Sequence, residues 1–312
     1  MNNNLYLWWT GLIAALLLAP LLTGIINKTK AILVGRRGPK LLQPYYNIIK
    51  LLRKGCVRTT TSCGLLAWGP LITLATVMVA MLFLPYANQI SPFAFTGDVF
   101  LFAYLLGLGR FALVLGAMDT GSSFEGMGSS REVQFAALAE GSLFAVLGFL
   151  ATASRSVDLS NMLTCPLPAQ VPTVVAAVTL AAGIAFIVLL VENCRVPFDD
   201  PETHLELTMI HEAMVLDYSG PDLGFIVYGS CLKLWLMAAF VMLMLIPGDF
   251  GSPGLMMVLH ILGILLIGVV IGIIESITAR FRFLKLPQFL LGSLGAALIA
   301  LALTILTGRH LP

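Results

Sequence analysis

The sequence predicts an all-α polytopic membrane protein with about eight transmembrane helices. Both termini fall on the outer side, and the long cytoplasmic loops carry short amphipathic helices. Three observations predict this. Hydrophobic residues make up 58% of the chain and charged residues only 11%, against about a quarter charged in a soluble domain. Eight apolar runs reach the roughly 20 residues that a helix needs to cross a bilayer. Lys and Arg are concentrated in every second connection, as a bilayer with a negative inner side demands.

The runs are taken in order. The first, 5–26, follows MNNNLYLWW, which has no basic segment and no small-residue cleavage site, so it is read as a retained helix rather than a removed signal peptide. Further spans are expected at 65–85, 98–118, 133–154, 171–191, 225–246, 254–275 and 286–306, all within one membrane domain over 1–312. The connections 27–64, 119–132, 192–224 and 276–285 hold fourteen of the eighteen Lys and Arg, which places them in the cytoplasm. The opposite connections are short and rich in Pro and Gly, as tight turns require. A net charge of +2 gives nucleic acid nothing to bind, so the lipid bilayer is the expected surroundings.

Two cytoplasmic connections stand out. In GRRGPKLLQPYYNIIKLLRK, Arg36, Arg37, Gly38 and Pro39 form a basic turn. Beyond it Tyr45, Ile48, Ile49 and Leu52 recur at helical spacing, which predicts a short helix lying in the membrane interface. The segment reads either as an anchor obeying the charge rule or as a docking surface at the rim of an entrance. The second connection, 192–220, holds seven of the sixteen Asp and Glu and two of the four His. Pro197 and Pro201 stop the preceding helix. Thr203 and Glu206 have the spacing of a capping box, predicting a helix over 204–216.

Chemistry is sought among these residues. His204 and His211 are too far apart along a helix to share one ion. His211-Glu212 begins a zinc-hydrolase pattern, but Val215 stands where its second His belongs, so no metal site is expected. No nucleophile is placed beside a base. What remains is a run of groups able to hold and release protons: Glu192, Asp199, Asp200, Glu202, His204, Glu206, His211, Glu212 and Asp217. Clustered carboxylates raise one another's pKa and His titrates near neutrality. The same run also reads as a solvated acidic docking patch. Arg110, Glu140 and Lys233 fall inside spans, where a charge costs about 2.5–3.5 kcal/mol and therefore pairs or meets water. They are read as ion pairs or as a hydrated path, with Arg110, Lys233 and Arg195 as the counter-charges. His260 is read as a hydrogen-bonded structural residue. The five Cys form no CxxC pair, so no cluster is expected in this chain, and each is read as a small apolar filler.

The motif Glu192-Asn-Cys-Arg195-Val-Pro-Phe-Asp199, followed by Glu202, Glu206 and Asp217-Tyr-Ser219, resembles the hallmark of the membrane subunit of respiratory complex I called subunit 1 or H. Arg36 to Pro39, Ser130-Arg131 and Glu140 match further blocks of that family, and the likeness covers nearly the whole chain. Asp200 and His204 stand where quinone-reducing members usually carry Leu and Glu, and three extra residues separate Glu206 from Asp217. These departures resemble instead the branch found in membrane-bound energy-converting [NiFe]-hydrogenases of the hydrogenase-4 and formate hydrogenlyase type. The resemblance implies a subunit of the prokaryotic cytoplasmic (inner) membrane that docks a redox arm and links electron transfer to proton or sodium translocation. Its implied partners are [NiFe]-hydrogenase-like large and small subunits, iron–sulfur subunits and antiporter-like membrane subunits, with the [NiFe] and iron–sulfur clusters held by those partners. Arg36 to Pro39 and Arg131 would line the docking side. The departures count against a bound quinone; the alternative is the quinone-binding subunit of a complex I-like oxidoreductase.

Overall fold

The computed structural model describes residues 2–58, 62–165, 172–199, 210–246, 252–281 and 285–308. Within them the chain forms α1 (Asn2–Leu33), α2 (Gln43–Leu52), α3 (Gly64–Leu82), α4 (Asp98–Asp119), α5 (Ser123–Ser154), α6 (Leu159–Thr164), α7 (Pro172–Glu192), α8 (His211–Met214), α9 (Gly220–Leu245), α10 (Pro253–Ile277) and α11 (Leu286–Gly308). Eight of these, all but α2, α6 and α8, are long and apolar enough to cross a membrane. The expected count of eight spans therefore holds, as does the all-helical class. In hydrocarbon every backbone polar group must be satisfied within the segment, and the α-helix does this one chain at a time.

The most enclosed span is α9, which packs against α1, α2, α3, α7 and α10. Close packing rests on small residues, as expected where lipid offers no hydrophobic drive between helices. On α10, Gly268 and Gly272 form a GxxxG pair against α1. A methyl group at Gly272 would stand 2.8 Å from Thr29 Cβ and 3.0 Å from the Ile26 carbonyl oxygen.

Hydrogen bonds gather the connections at the two ends of the bundle. At one end the Val57 amide donates to Ser219 Oγ, the Leu66 amide to the Asp119 carboxylate, and the Phe281 amide to the Pro197 carbonyl. At the other, Trp8 Nε1 donates to the Leu84 carbonyl, and the Leu159 amide donates to Asp98, which is fully buried.

Two expectations are corrected, and a third falls mostly outside the described residues. Residues 123–132, read as part of a Gly/Ser-rich loop, are helical: α5 starts at Ser123 and runs 32 residues. Gly128 permits this, because its bare backbone lies against the Ile210 carbonyl and Ala213, where a Cβ would come within 2.9 Å of each. Glu125, fully buried, accepts hydrogen bonds from Thr120 Oγ1 and the Asp217 amide and ties the new turns down. The helix expected over 204–216 has a single described turn, α8; Thr203 and Glu206 lie outside the described residues. Of the five Cys only Cys231 is a buried filler, whereas Cys56 and Cys63 are exposed and Cys165 and Cys194 half-buried. A short helix is present where one was expected after Pro44, as α2. It is pinned by Tyr45 Oη donating to the Leu17 carbonyl and by Leu51 and Leu52 against Gly224 of α9, with Ile49 exposed.

Candidate functional site: a buried charge network

Helix α7 ends in a Schellman turn: the Arg195 amide bonds the Leu190 carbonyl, the Cys194 amide bonds the Val191 carbonyl, and Cys194 takes a left-handed conformation at φ 49°. This turn swings the chain back so that Glu192, Arg195 and Asp199 all border one interior space. Arg110 of α4 enters the same space from the opposite wall, Glu132 and Glu140 descend from α5 two turns apart, and Lys233 comes from α9.

Arg110 is the hub. Its Nη1 donates to Glu140 Oε1 at 2.8 Å, its Nε lies 3.2 Å from Glu132 Oε1, and its Nη2 touches Glu192 Oε2. Lys233 Nζ reaches the same Glu192 oxygen at 2.8 Å. The planar guanidinium suits this task, since its donors diverge in a fixed fork that can face several carboxylates at once. The hub and Glu192 are buried, while the Glu140 side chain is 41% exposed between α4 and α5.

Two further pairs border the network. Glu275 of α10 sits between Arg195 Nη1 at 3.5 Å and Lys30 Nζ of α1 at 3.3 Å. Asp199 accepts from Arg280 Nη2 at 3.0 Å and from the Ile210 and His211 amides at 3.0 and 3.2 Å. Between these groups lies a cavity of about 170 Å³ lined by Arg110, Glu132, Glu192, Asp199, His211 and Lys233, among others. Charged groups line one part of it and apolar residues such as Val77, Leu106 and Leu113 another, and it has room for several waters beside the charges.

The sequence reading is thus resolved residue by residue. Arg110, Glu140, Glu192 and Lys233 form one network, and Arg195, Asp199, His211 and Glu212 line its cavity. Asp200, Glu202, His204 and Glu206 lie outside the described residues. Asp217 is exposed, and its amide donates to the Glu125 carboxylate. Arg36, Arg37, Gly38 and Pro39 are exposed on the connection after α1, where Lys28 Nζ holds the Arg37 carbonyl at 2.7 Å. Arg131 lies along α5 with its guanidinium 3.2 Å from Met127 Sδ. His260 is a correction: it is buried, but among the described residues neither ring nitrogen has a hydrogen-bond partner. Glu132, Glu275, Lys30 and Arg280 were not singled out from the sequence. Glu132 lay in the stretch read as loop, and the others lay at span edges, where a charge carries no unusual cost.

His211 gives the site a pH dependence. Burial holds its imidazole below the ordinary pKa; Glu212 and Asp199 oppose this and Lys233 adds to it. The folded chain therefore keeps the ring neutral. Stability from this group is intact above the unfolded value of about 6.5 and falls as pH drops below it, because the unfolded chain takes the proton more readily. Protection of the amides at residues 210–217, corrected for the intrinsic exchange rate, is expected to fall as pH drops below about 6.5, and His211→Gln to flatten that dependence.

Eight apolar helices enclosing an ion network define an integral membrane protein. The chain belongs to the NADH dehydrogenase subunit 1 family, whose profile, NADH dehydrogenase, matches residues 7–307. It is 34% identical over 298 residues to hydrogenase-4 component C of Escherichia coli (strain K12), covering 92% of this chain and 91% of that one. Formate hydrogenlyase subunit 4 of the same organism is 32% identical over 302 residues, with 93% and 96% covered. A chain in the structure of the membrane-bound sulfane sulfur reductase, an archaeal respiratory membrane complex, superposes with a TM-score of 0.76 at 19% identity, covering 97% and 99% of the two chains. That likeness is one of fold.

Proposed function

We propose that this chain is the membrane-anchor and coupling subunit of an energy-converting complex of the hydrogenase type. The two relatives above 30% identity are components of hydrogenase-4 and formate hydrogenlyase. In this reading it lies in the prokaryotic cytoplasmic membrane with the end bearing α2 and α8 facing the cytoplasm. There a partner arm docks over the basic turn Arg36 to Pro39, over Arg131 and over the 192–220 segment. That arm carries the [NiFe] and iron–sulfur clusters. Among the described residues of this chain no group of three or more His, Cys, Asp or Glu is placed to hold a metal ion. Antiporter-like membrane subunits lie beside it and move protons or sodium.

The observation that carries the proposal is the single guanidinium facing three carboxylates. Arg110 links Glu192, at the docking end, to Glu140, on the α4/α5 face. Protonating any one of its partners weakens that contact and strengthens the remaining ones, so a field change at the docked arm is passed along as a shift of proton occupancy. Pushing one charge against 100 mV takes about 2.3 kcal/mol. A buried ion pair broken on one side costs about 3–5 kcal/mol, so one switched contact of this network is large enough to drive the step.

The alternative, a bound quinone, gains no support from this cavity, whose volume of about 170 Å³ is below the ~300–1,000 Å³ of ordinary ligand sites.

The test is Glu140→Gln in the whole complex. Ion translocation is expected to be abolished while the redox activity of the arm, assayed with an artificial electron donor, survives. Translocation at the wild-type ratio to electrons transferred would overturn the reading.

A further inference from the structure

At contact distance Arg110 and Lys233 face three carboxylates, those of Glu132, Glu140 and Glu192, while the extra cation beside them, in the Lys30–Glu275–Arg195 group, reaches none of the three among the described residues. A carboxylate taken out of water with weak compensation is costly enough that it takes up a proton instead. The contacts of the three differ enough to say which is held most weakly.

One oxygen of Glu192 has two cationic nitrogens against it. Glu140 receives a direct hydrogen bond from Arg110 Nη1 at 2.8 Å, and its side chain is 41% exposed. Glu132 has neither advantage. Its side chain is only 12% exposed, and the nearest cationic nitrogen, Arg110 Nε at 3.2 Å, makes no hydrogen bond among the described residues. Its second oxygen meets the Cys194 thiol, at a long 3.9 Å. The groups around it are Arg110 on α4, Glu192 on α7, Cys194 and Asp199 on the turn beyond, His211 on α8 and Lys233 on α9, with Glu140 two turns along its own helix.

We propose that Glu132 is the proton-holding carboxyl of this network, placed between the wet cavity and a second, smaller space beyond it. It lines both the cavity of about 170 Å³ and a neighbouring one of about 20 Å³ that reaches Leu286 and Leu290 of α11. In the transfer step the Glu132 O–H bond breaks and an O–H bond forms on Glu140, the other α5 carboxyl that meets the Arg110 guanidinium. Glu132 becomes the carboxylate, Glu140 the neutral acid, and the total charge is unchanged. Arg110 then loses its hold on Glu140 and gains a charged partner at Glu132. This step rests on the coupling role proposed above, but the resting protonation of Glu132 does not.

The experiment is infrared difference spectroscopy on the intact complex at neutral pH, comparing wild type with Glu132→Gln, Glu132→Asp and Glu140→Gln, each with a translocation assay. Subtracting variant from wild type cancels other buried acids such as Asp98. The expected result is a carboxylic C=O band, sensitive to H/D exchange, that vanishes in Glu132→Gln, moves in Glu132→Asp and persists in Glu140→Gln. The same band surviving unchanged in Glu132→Gln, or disappearing only in Glu140→Gln, would overturn the assignment. If the band vanishes in Glu132→Gln but translocation keeps its wild-type stoichiometry, the proton site stands and the coupling reading falls.

Discussion

Replacing Arg110 with methionine is expected to prevent the protein from accumulating in the membrane. Methionine fills similar volume but leaves Glu140 and Glu192 without the guanidinium that three helices share. Removing one partner of a buried ion pair costs about 3–5 kcal/mol, mostly because the charge left behind is uncompensated. Lys233 still reaches Glu192, so α7 keeps one anchor, while α4 and α5 lose theirs. Arg110→Lys should be intermediate: one point charge replaces a fork, and an ammonium cannot meet carboxylates from two helices in divergent directions. The measurement is the amount of folded subunit in membranes and its resistance to unfolding in denaturing detergent. An Arg110→Met protein with wild-type resistance would mean that the network contributes nothing net to holding α4 against α5 and α7.

This residue also shows what the sequence made legible. A charge inside an apolar run must find a partner, so Arg110, Glu140 and Lys233 announce a network by their position alone. Span number was legible for the same reason, because bilayer thickness sets a length that composition must honour. What was hidden lay where that cost disappears. Glu132 sits in GSSRE, whose glycines and serines read as loop. It became part of a buried helix only because Gly128 admits the Ile210 carbonyl, a contact 82 positions away in the chain. Glu275 lies at the end of α10 and Arg280 in the connection beyond it, where charged residues are ordinary, and their partners Lys30, Arg195 and Asp199 come from other elements. His260 departs from its expectation because hydropathy reports that a polar ring is buried, not whether a donor is aimed at it.

The second large effect is expected at Asp199. One carboxylate there performs three tasks: Oδ2 accepts the amides of Ile210 and His211, and Oδ1 receives Arg280. The two ends of the segment 200–209 are thereby fastened to each other and to the connection before α11. The Phe281 amide on the Pro197 carbonyl adds a second tie. Asp199→Ala removes a carboxylate from the half-buried Arg280, where breaking a buried pair costs at most about 3–5 kcal/mol, and leaves the Ile210 and His211 amides to find other acceptors. Asp199→Asn keeps an acceptor and should lose less. Because each 1.4 kcal/mol is about a factor of ten, hydrogen exchange at residues 210–217 should accelerate by roughly a hundredfold or more in the alanine variant. Exchange around Asp98 and Leu159, at the far end of the bundle, should not change. If residues 210–217 exchange at the wild-type rate, the carboxylate is not what closes this segment. The functional consequence follows from geometry: His211 and Glu212 line the cavity only while α8 is held there. Under the proposed function, an arm docked over a loosened segment would shift its field against open water rather than against the Arg110 network, and translocation would fall while electron transfer continued.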